Sequence, residues 1–299
     1  MKNFIGSRAL PEIAYHRPPD LAGLLNLLAK VDGDLKIVAG CTDFIPAMRS
    51  GNWGFADGLN VIDIKGVREL AGIRLEGDRL VIGAGTRLVD VAQSEEVREN
   101  APVLSEAVAQ MASPQVRNIA TIGGNLSMAS PAADTAPPLL CLDAEVTVRG
   151  PETQETVPLT RFFLGPGTTR MKPREVLTEI RFPILKKNEA AQRVRLGLRT
   201  AFVCSIISVA ARVRWDGKTI TDARIAMGAV APTPIRVTGA ETFLVGTDGS
   251  ETALAEAAAK AAAEITPISD LRASAEYRKA MAETLTRRML TRCIQNLAA

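Results

Sequence analysis

The sequence predicts an α+β protein of about two domains, and three observations carry that prediction. The chain has 299 residues, 46% of them apolar, which is enough for two cores at roughly 100–200 residues each. Through the first half, short apolar runs of strand length alternate with apolar residues at helical spacing. After a stretch punctuated by Gly165-Pro166-Gly167 and Lys172-Pro173-Arg174, the order becomes strands first and helices afterwards.

Pro18-Pro19-Asp20 opens the first helix: proline suits a first turn, Asp20 can cap it, and Leu21, Leu24, Leu25 and Leu28 fall on one face. Residues 35–39 form a short buried strand that delivers the chain to Gly40-Cys41-Thr42-Asp43, and a helical pattern resumes over 44–49. A second strand is expected over 59–64, and a hairpin over 73–76 and 79–82 turns on Gly77-Asp78. The spacing then predicts a helix over 95–112, a second glycine loop over 120–126, a strand over 139–148 and a polar turn over 150–156. A new strand over 176–182 follows the proline and glycine stretch, which divides the chain into domains 1–174 and 175–299. In the second domain, strands over 205–215 and 219–230 flank a turn at Asp216-Gly217, and helices are expected over 251–265 and 270–296. The alanine-rich stretch 253–263 suits an ordinary strong helix, and no internal repeat is present.

Composition excludes several function classes. Lys and Arg total 36 against 33 Asp and Glu, a net charge of +3 spread along the chain, and only 4% of residues are aromatic. Trp53, Trp215, Tyr15 and Tyr277 are the whole Trp and Tyr complement. Neither the basic footprint of a duplex binder nor the stacking platform of a single-strand binder is there, so no nucleic-acid partner is expected. The single histidine, His16, precedes Arg17-Pro18-Pro19 and reads as a surface or loop residue, a poor setting for a catalytic base. Cys41, Cys141, Cys204 and Cys293 make no C-x-x-C pair, so neither a zinc or iron–sulfur site nor a disulfide framework is expected. Residues 1–10 carry no apolar leader, and the stretch 201–211 is about half a membrane span. No transmembrane segment and a cytoplasmic location follow as expectations.

Gly83-Ala84-Gly85-Thr86-Arg87-Leu88 has the look of a dinucleotide fingerprint, but Leu88 replaces the third glycine and a hairpin precedes it. It reads better as a strand-to-helix turn in which Thr86 caps the helix. Gly40-Cys41-Thr42-Asp43 and Thr121-Ile122-Gly123-Gly124-Asn125 are stronger candidates, since glycine lets backbone N–H groups approach an anion closely. Two such loops can grip a pyrophosphate from both sides. The continuation 126–138, rich in Ala, Ser and Pro, suits neither helix nor strand. Within it Asp134 is either a helix cap or an acceptor for ribose or adenine donors.

At these loops the sequence resembles a known family. Ala39-Gly40-Cys41-Thr42-Asp43-Phe44-Ile45-Pro46, and Ala120 with Thr121 to Asn125 followed by Ser130-Pro131-Ala132-Ala133-Asp134, resemble the two FAD-binding motifs of the flavin-binding medium subunit of molybdenum hydroxylases. Xanthine dehydrogenases and aerobic carbon monoxide dehydrogenases form that group. Residues 139–144 resemble the strand after the second motif. Residues 176–183, 195–210 and 269–278, with Asp270, Arg272 and Tyr277-Arg278, resemble the family's C-terminal flavoprotein domain.

The resemblance implies an FAD-binding domain of the vanillyl-alcohol-oxidase type, with subdomains at about 1–57 and 58–174, followed by a smaller C-terminal α/β domain. It implies that Val38, Ala39, Gly40, Cys41, Thr42, Asp43 and Phe44, with Thr121, Ile122, Gly123, Gly124 and Asn125, hold the pyrophosphate and ribityl chain of a non-covalent FAD. Asp134 would meet the adenosine end, and Leu177 and Arg195 the isoalloxazine. Substrate chemistry would take place at a molybdopterin on a large partner subunit. Electrons would cross two [2Fe–2S] clusters of a small partner subunit to this flavin, and an external acceptor would take them. No catalytic acid or base and no metal ligand is then required of this chain. Cys41 replaces a common glycine, as a small hydrophobe or an oxidation-sensitive thiol. Arg195 replaces a common lysine, and Arg193 lies near a position where relatives place a tyrosine over the ring. Other readings are a stand-alone FAD oxidoreductase and a degenerate, non-catalytic assembly protein.

Overall fold

The structure is a computed structural model that describes residues 11–50, 57–199 and 203–298. Trp53, residues 1–10 and the start of the 201–211 stretch lie outside the described residues. The first helix forms as its spacing predicts: the Asp20 carboxylate accepts from the Gly23 N–H at 2.7 Å, and Leu24 and Leu28 of Leu21–Lys30 are fully buried. They pack with Ile62, Ile64, Val67 and Leu70 against a three-stranded sheet in the order Ile13–His16, Leu59–Asp63, Leu35–Val38. Both pairings are parallel, so all three strands end on the same edge. The strand Ile13–His16 is short and largely exposed, and no periodicity marks it in the sequence.

A five-stranded antiparallel sheet follows, in the order Ile73–Glu76, Arg79–Gly83, Val176–Pro183, Glu145–Arg149, Gln154–Pro158. Val176–Pro183, expected to open the second domain, is the central strand here, with Ile180 and Phe182 fully buried. Alternation marks a strand but not which sheet it joins, and the change of sheet falls between Pro183 and Glu189 rather than at 174. The helix predicted over 95–112 breaks at Ala101 (φ −150°, ψ 56°), because Pro102 cannot continue it and instead starts Pro102–Gln110. The strand predicted over 139–148 is a helix, Ala136–Cys141, followed by the strand Glu145–Arg149. Pro137 and Pro138 sit in the first turn of that helix, where a missing N–H costs nothing.

The C-terminal sheet is antiparallel, in the order Glu189–Leu196, Ile207–Trp215, Ile220–Gly228, Ile235–Arg236. Period-2 alternation divides its residues between two cores. Val209, Ala211, Val213, Ile225 and Met227 pack with Leu254, Ala257, Met289 and Leu290 of the helices Glu251–Ala263 and Ala275–Ala298. On the opposite face Ala191, Ala210 and Ala226 join the core of the first domain. The strand Glu189–Leu196 and the helix Thr238–Leu244 are absent from the sequence expectation. The last helix starts at Ala275 and not at 270, because Asp270 closes a turn by accepting from the Arg272 and Ala273 N–H groups at 2.9 and 3.2 Å. Among the described residues no helix is long and apolar enough to cross a membrane.

Candidate functional site

The strand Leu35–Val38 ends on the shared edge of the parallel sheet, where ligands commonly bind in α/β folds. Buried Val38 and Phe44 anchor the two sides of the turn that follows. A Cβ on Gly40 would lie 2.3 Å from the Ile119 carbonyl oxygen and 2.6 Å from Ala120 Cα, so only glycine lets the first loop touch the second. Cys41 takes the left-handed conformation, φ 57°. Among the described residues the backbone N–H groups of Cys41, Thr42 and Asp43 donate to no protein group. Successive unpaired amides around a left-handed residue form a concavity that takes an anion.

The second loop is built differently from the expectation. Residues 122–127 form a short helix, Ile122–Ser127, capped by Thr121, whose hydroxyl accepts from the Gly124 N–H at 3.1 Å. The Ile122 and Gly123 N–H groups donate to the Thr86 and Ala84 carbonyls at 3.0 and 2.8 Å. These amides already have acceptors, so the second loop is not a free amide cradle. Gly123 is glycine because a Cβ would meet Ala84 Cβ at 2.5 Å, whereas a Cβ on Gly124 would meet only Thr121 Oγ1, at 2.9 Å. Thr86 does not cap a helix either. Its hydroxyl bonds the Gly72 N–H and carbonyl at 3.0 and 3.1 Å, and the helix Leu88–Gln93 starts from Arg87 without a side-chain cap.

The three glycine turns therefore close on one another beside a cleft of about 590 Å³. Ala39, Ile119 and Thr121 line it from the loops, Ile64, Val67 and Ile73 form an apolar wall, and Lys65, Arg68 and Arg87 bring positive charge. Asp90 holds Arg87 in a bidentate pair, both contacts 2.7 Å. Ile119 is 53% exposed, an apolar side chain left open at the mouth. Sequence reasoning missed these three cations. The signal lay in their position: Lys65 and Arg68 follow directly on the C-terminal end of a strand in the parallel sheet. Close by, the Tyr15 hydroxyl donates to Asp63 at 2.7 Å, a bond that raises the phenol above its usual range. Burial likewise raises the Cys41 thiol, which stays protonated. His16 bonds Asn60 at 2.9 Å within the sheet and takes no part in the cleft.

A second group of predicted residues meets at the junction with the C-terminal sheet. Asp134 accepts from Arg195 Nη1 at 2.9 Å and from the Ser205 hydroxyl at 2.6 Å, and all three side chains are buried. Asp134 is therefore an ion-pair partner rather than a helix cap. Asp134 and Arg195, expected at the adenosine and isoalloxazine ends respectively, are thus in direct contact with each other. Asn125 accepts from the Thr135 hydroxyl at 2.6 Å and so ties the second loop to this group. Leu177 is 3% exposed within the main core and does not line the cleft. Among the described residues no cluster of His, Cys, Asp and Glu is placed to hold a metal.

The donor set fits FAD: open amides and three cations for a pyrophosphate, an apolar wall for rings, and a buried polar group at the domain junction. Comparison with known proteins agrees. Residues 11–185 match the FAD binding domain in molybdopterin dehydrogenase, and residues 194–293 match the CO dehydrogenase flavoprotein C-terminal domain. The carbon monoxide dehydrogenase medium chain of Hydrogenophaga pseudoflava is 35% identical over 284 residues, covering 94% of this chain and 96% of that one. The xanthine dehydrogenase FAD-binding subunit of Escherichia coli is 31% identical over 283 residues, covering 94% and 96%. Carbon monoxide dehydrogenase from Hydrogenophaga pseudoflava, in a structure lacking the Mo-pyranopterin moiety of its cofactor, superposes with a TM-score of 0.90 at 34% identity, covering 96% of this chain and 99% of that one. The chain therefore belongs to the family of FAD-binding medium subunits of molybdopterin dehydrogenases, as an oxidoreductase flavoprotein.

Proposed function

We propose that the chain binds FAD without a covalent link between two subdomains of the vanillyl-alcohol-oxidase type, which divide near residue 57. The smaller C-terminal domain, which we begin after Pro183, encloses the cofactor. In this reading a large partner subunit carries the molybdopterin and a small one the [2Fe–2S] clusters. The chain passes electrons from those clusters to an external acceptor in the cytoplasm. The observation that carries the reading is the open turn Cys41-Thr42-Asp43, which follows on Ala39 at the edge of a cleft lined by Lys65, Arg68 and Arg87.

Bound FAD supplies the two-electron chemistry that no side chain here provides. The amides of residues 41–43 donate to the pyrophosphate, and Lys65, Arg68 and Arg87 balance its charge. Ile64, Val67 and Ile119 keep water from the apolar wall, and the Asp134–Arg195 pair fixes the junction at the isoalloxazine end. The test is direct: the purified chain, incubated with FAD and desalted at neutral pH, should keep flavin absorption near one equivalent. Preparations that repeatedly come off the column colourless would refute the reading.

A further inference from the structure

The cleft of about 590 Å³ suits one drug-sized ligand, roughly half of a dinucleotide, so it takes one end of FAD and not both. The groups that line it decide which end. Of its three cations, Arg87 is neutralised by Asp90 and Lys65 lies 3.6 Å from Asp63, whereas Arg68 makes no ion pair among the described residues. The cleft also carries an open acceptor. Glu96 Oε2 accepts from the Ser94 hydroxyl at 2.6 Å, and among the described residues nothing donates to Oε1. Ser94 is itself engaged, since its oxygen accepts from the Val97 N–H at 3.2 Å, so it orients the carboxylate and leaves it free to bond elsewhere. The Ser94 bond holds the Glu96 carboxyl below its usual range, which keeps it charged at neutral pH. Asn118 lines the same cleft, and its side-chain amide makes no hydrogen bond among the described residues.

With the cations taken by a diphosphate, Glu96, Asn118 and the apolar wall remain for the group attached to it. An ionised carboxylate only accepts hydrogen bonds, so it needs donors opposite. The rim of an isoalloxazine is mostly acceptors, with a single N–H, and the ring gains negative charge on reduction, which a fixed carboxylate opposes. Adenosine offers the complement: an exocyclic amine and ribose hydroxyls to donate, and a flat purine for Ile64, Val67 and Ile73. Resting on the reading of the chain as an FAD-binding subunit, we propose that this cleft binds the adenosine diphosphate half of the cofactor, with the diphosphate at Lys65 and Arg68 and the adenosine donors at Glu96. Glu96 is then the residue that selects FAD over FMN, and the isoalloxazine lies outside the cleft.

The experiment is a calorimetric titration of the full chain, stripped of flavin, with FAD, ADP, adenosine and FMN in turn, followed by competition between them. ADP should bind by itself and displace FAD, whereas FMN at equal concentration should not displace ADP. Glu96→Gln should weaken FAD, ADP and adenosine alike, by about tenfold for the loss of one charged hydrogen bond, and leave FMN as it was. Arg68→Gln should weaken ADP and leave adenosine unchanged, which separates the cations from the acceptor. Both side chains are exposed, so neither substitution disturbs a core. Displacement of ADP by FMN overturns the proposal, as does a Glu96→Gln variant that holds ADP as tightly as the wild type or loses FMN equally. So does a chain that binds FAD but from which ADP displaces none. A wild-type chain that binds no FAD overturns the cofactor reading itself, and this assignment with it.

Discussion

Cys41 holds a left-handed backbone that costs a residue with a Cβ roughly 1–2 kcal/mol. Replacing it with glycine removes that strain but adds roughly 0.5–1 kcal/mol of unfolded-state entropy, so the two effects nearly cancel. Cys41→Gly should therefore change stability by less than about 1 kcal/mol and leave FAD retention intact, as thermal unfolding and flavin absorbance would show. A large loss in either would mean that the thiol itself is needed. The glycines differ from one another for reasons visible only in space. Gly40 and Gly123 face backbone or Cβ atoms at 2.3 and 2.5 Å, whereas Gly124 faces a rotatable hydroxyl. Alanine at 40 or 123 should cost about 1–3 kcal/mol by overpacking, and alanine at 124 clearly less. Equal losses at all three in denaturant unfolding would contradict that ranking. The thiols are graded too: Cys204 is exposed, Cys41 half-buried, and Cys141 and Cys293 fully buried, with burial pushing the Cys141 thiol up to about 12. Under neutral pH, alkylation followed by mass spectrometry should modify Cys204 first and Cys141 and Cys293 only on unfolding.

Among elements, the turn before the last helix shows how a local signal can be misread and still be informative. Asp270 looks like a helix start in sequence, yet it accepts from the Arg272 and Ala273 N–H groups and from Arg278 Nη2 at 2.8 Å. The Arg272 amide, with the other donors, holds this carboxyl at about 2, below the unfolded value of about 3.9. A carboxyl depressed in the folded state stabilises above its unfolded value, and that contribution fades as pH falls from about 4 toward 2. Asp270→Asn should cost about 2 kcal/mol at neutral pH, a typical value for charged hydrogen bonds. The gap between variant and wild type should close in acid. A gap that persists unchanged at pH 2 would show that the charge is irrelevant.

The same contrast explains what was legible. Leu21–Lys30 is half-buried with a side-chain cap, so spacing and chemistry both show in four or five residues. Every residue of Ala136–Cys141 is buried, so no face differs from another and neither period can be read. Val176–Pro183 reads correctly as a strand, but its place in a sheet depends on partners about 30 and 100 residues away. The close turn at Gly40 was legible from its small residues. Which amides remain open was not, because contacts with residues 84–86 decide it. Likewise both members of the Asp134–Arg195 pair could be picked out singly, and their contact could not.

At the scale of the whole molecule, the junction between the two halves is a seam of arginines against aspartates. Asp134 meets Arg195, and Asp143 accepts from Arg212, Arg224 and Arg236 at 2.9, 2.9 and 2.7 Å. Burial alone would raise the Asp143 carboxyl, but those guanidinium groups outweigh it and hold it below its ordinary range. Arg212 is 5% exposed, so removing the charge at 143 leaves a largely buried cation with Asp222 as its remaining carboxylate. The Asp143 side chain is 36% exposed, so breaking the pair from that side should cost less than the roughly 3–5 kcal/mol of a fully buried one. Asp143 also has a left-handed backbone, φ 53°, which asparagine tolerates, so Asp143→Asn isolates the charge from the backbone. Apart from Arg193, the C-terminal sheet otherwise offers the seam small side chains, Ala191, Ala210 and Ala226, whose burial contributes little per residue. Coupling between the halves therefore rests heavily on the ion pairs. Calorimetry of Asp143→Asn should show the C-terminal half separating from the first domain, as two transitions or one clearly broadened transition. A single transition of wild-type width, merely shifted, would mean that the apolar contacts alone keep the halves folding as one unit.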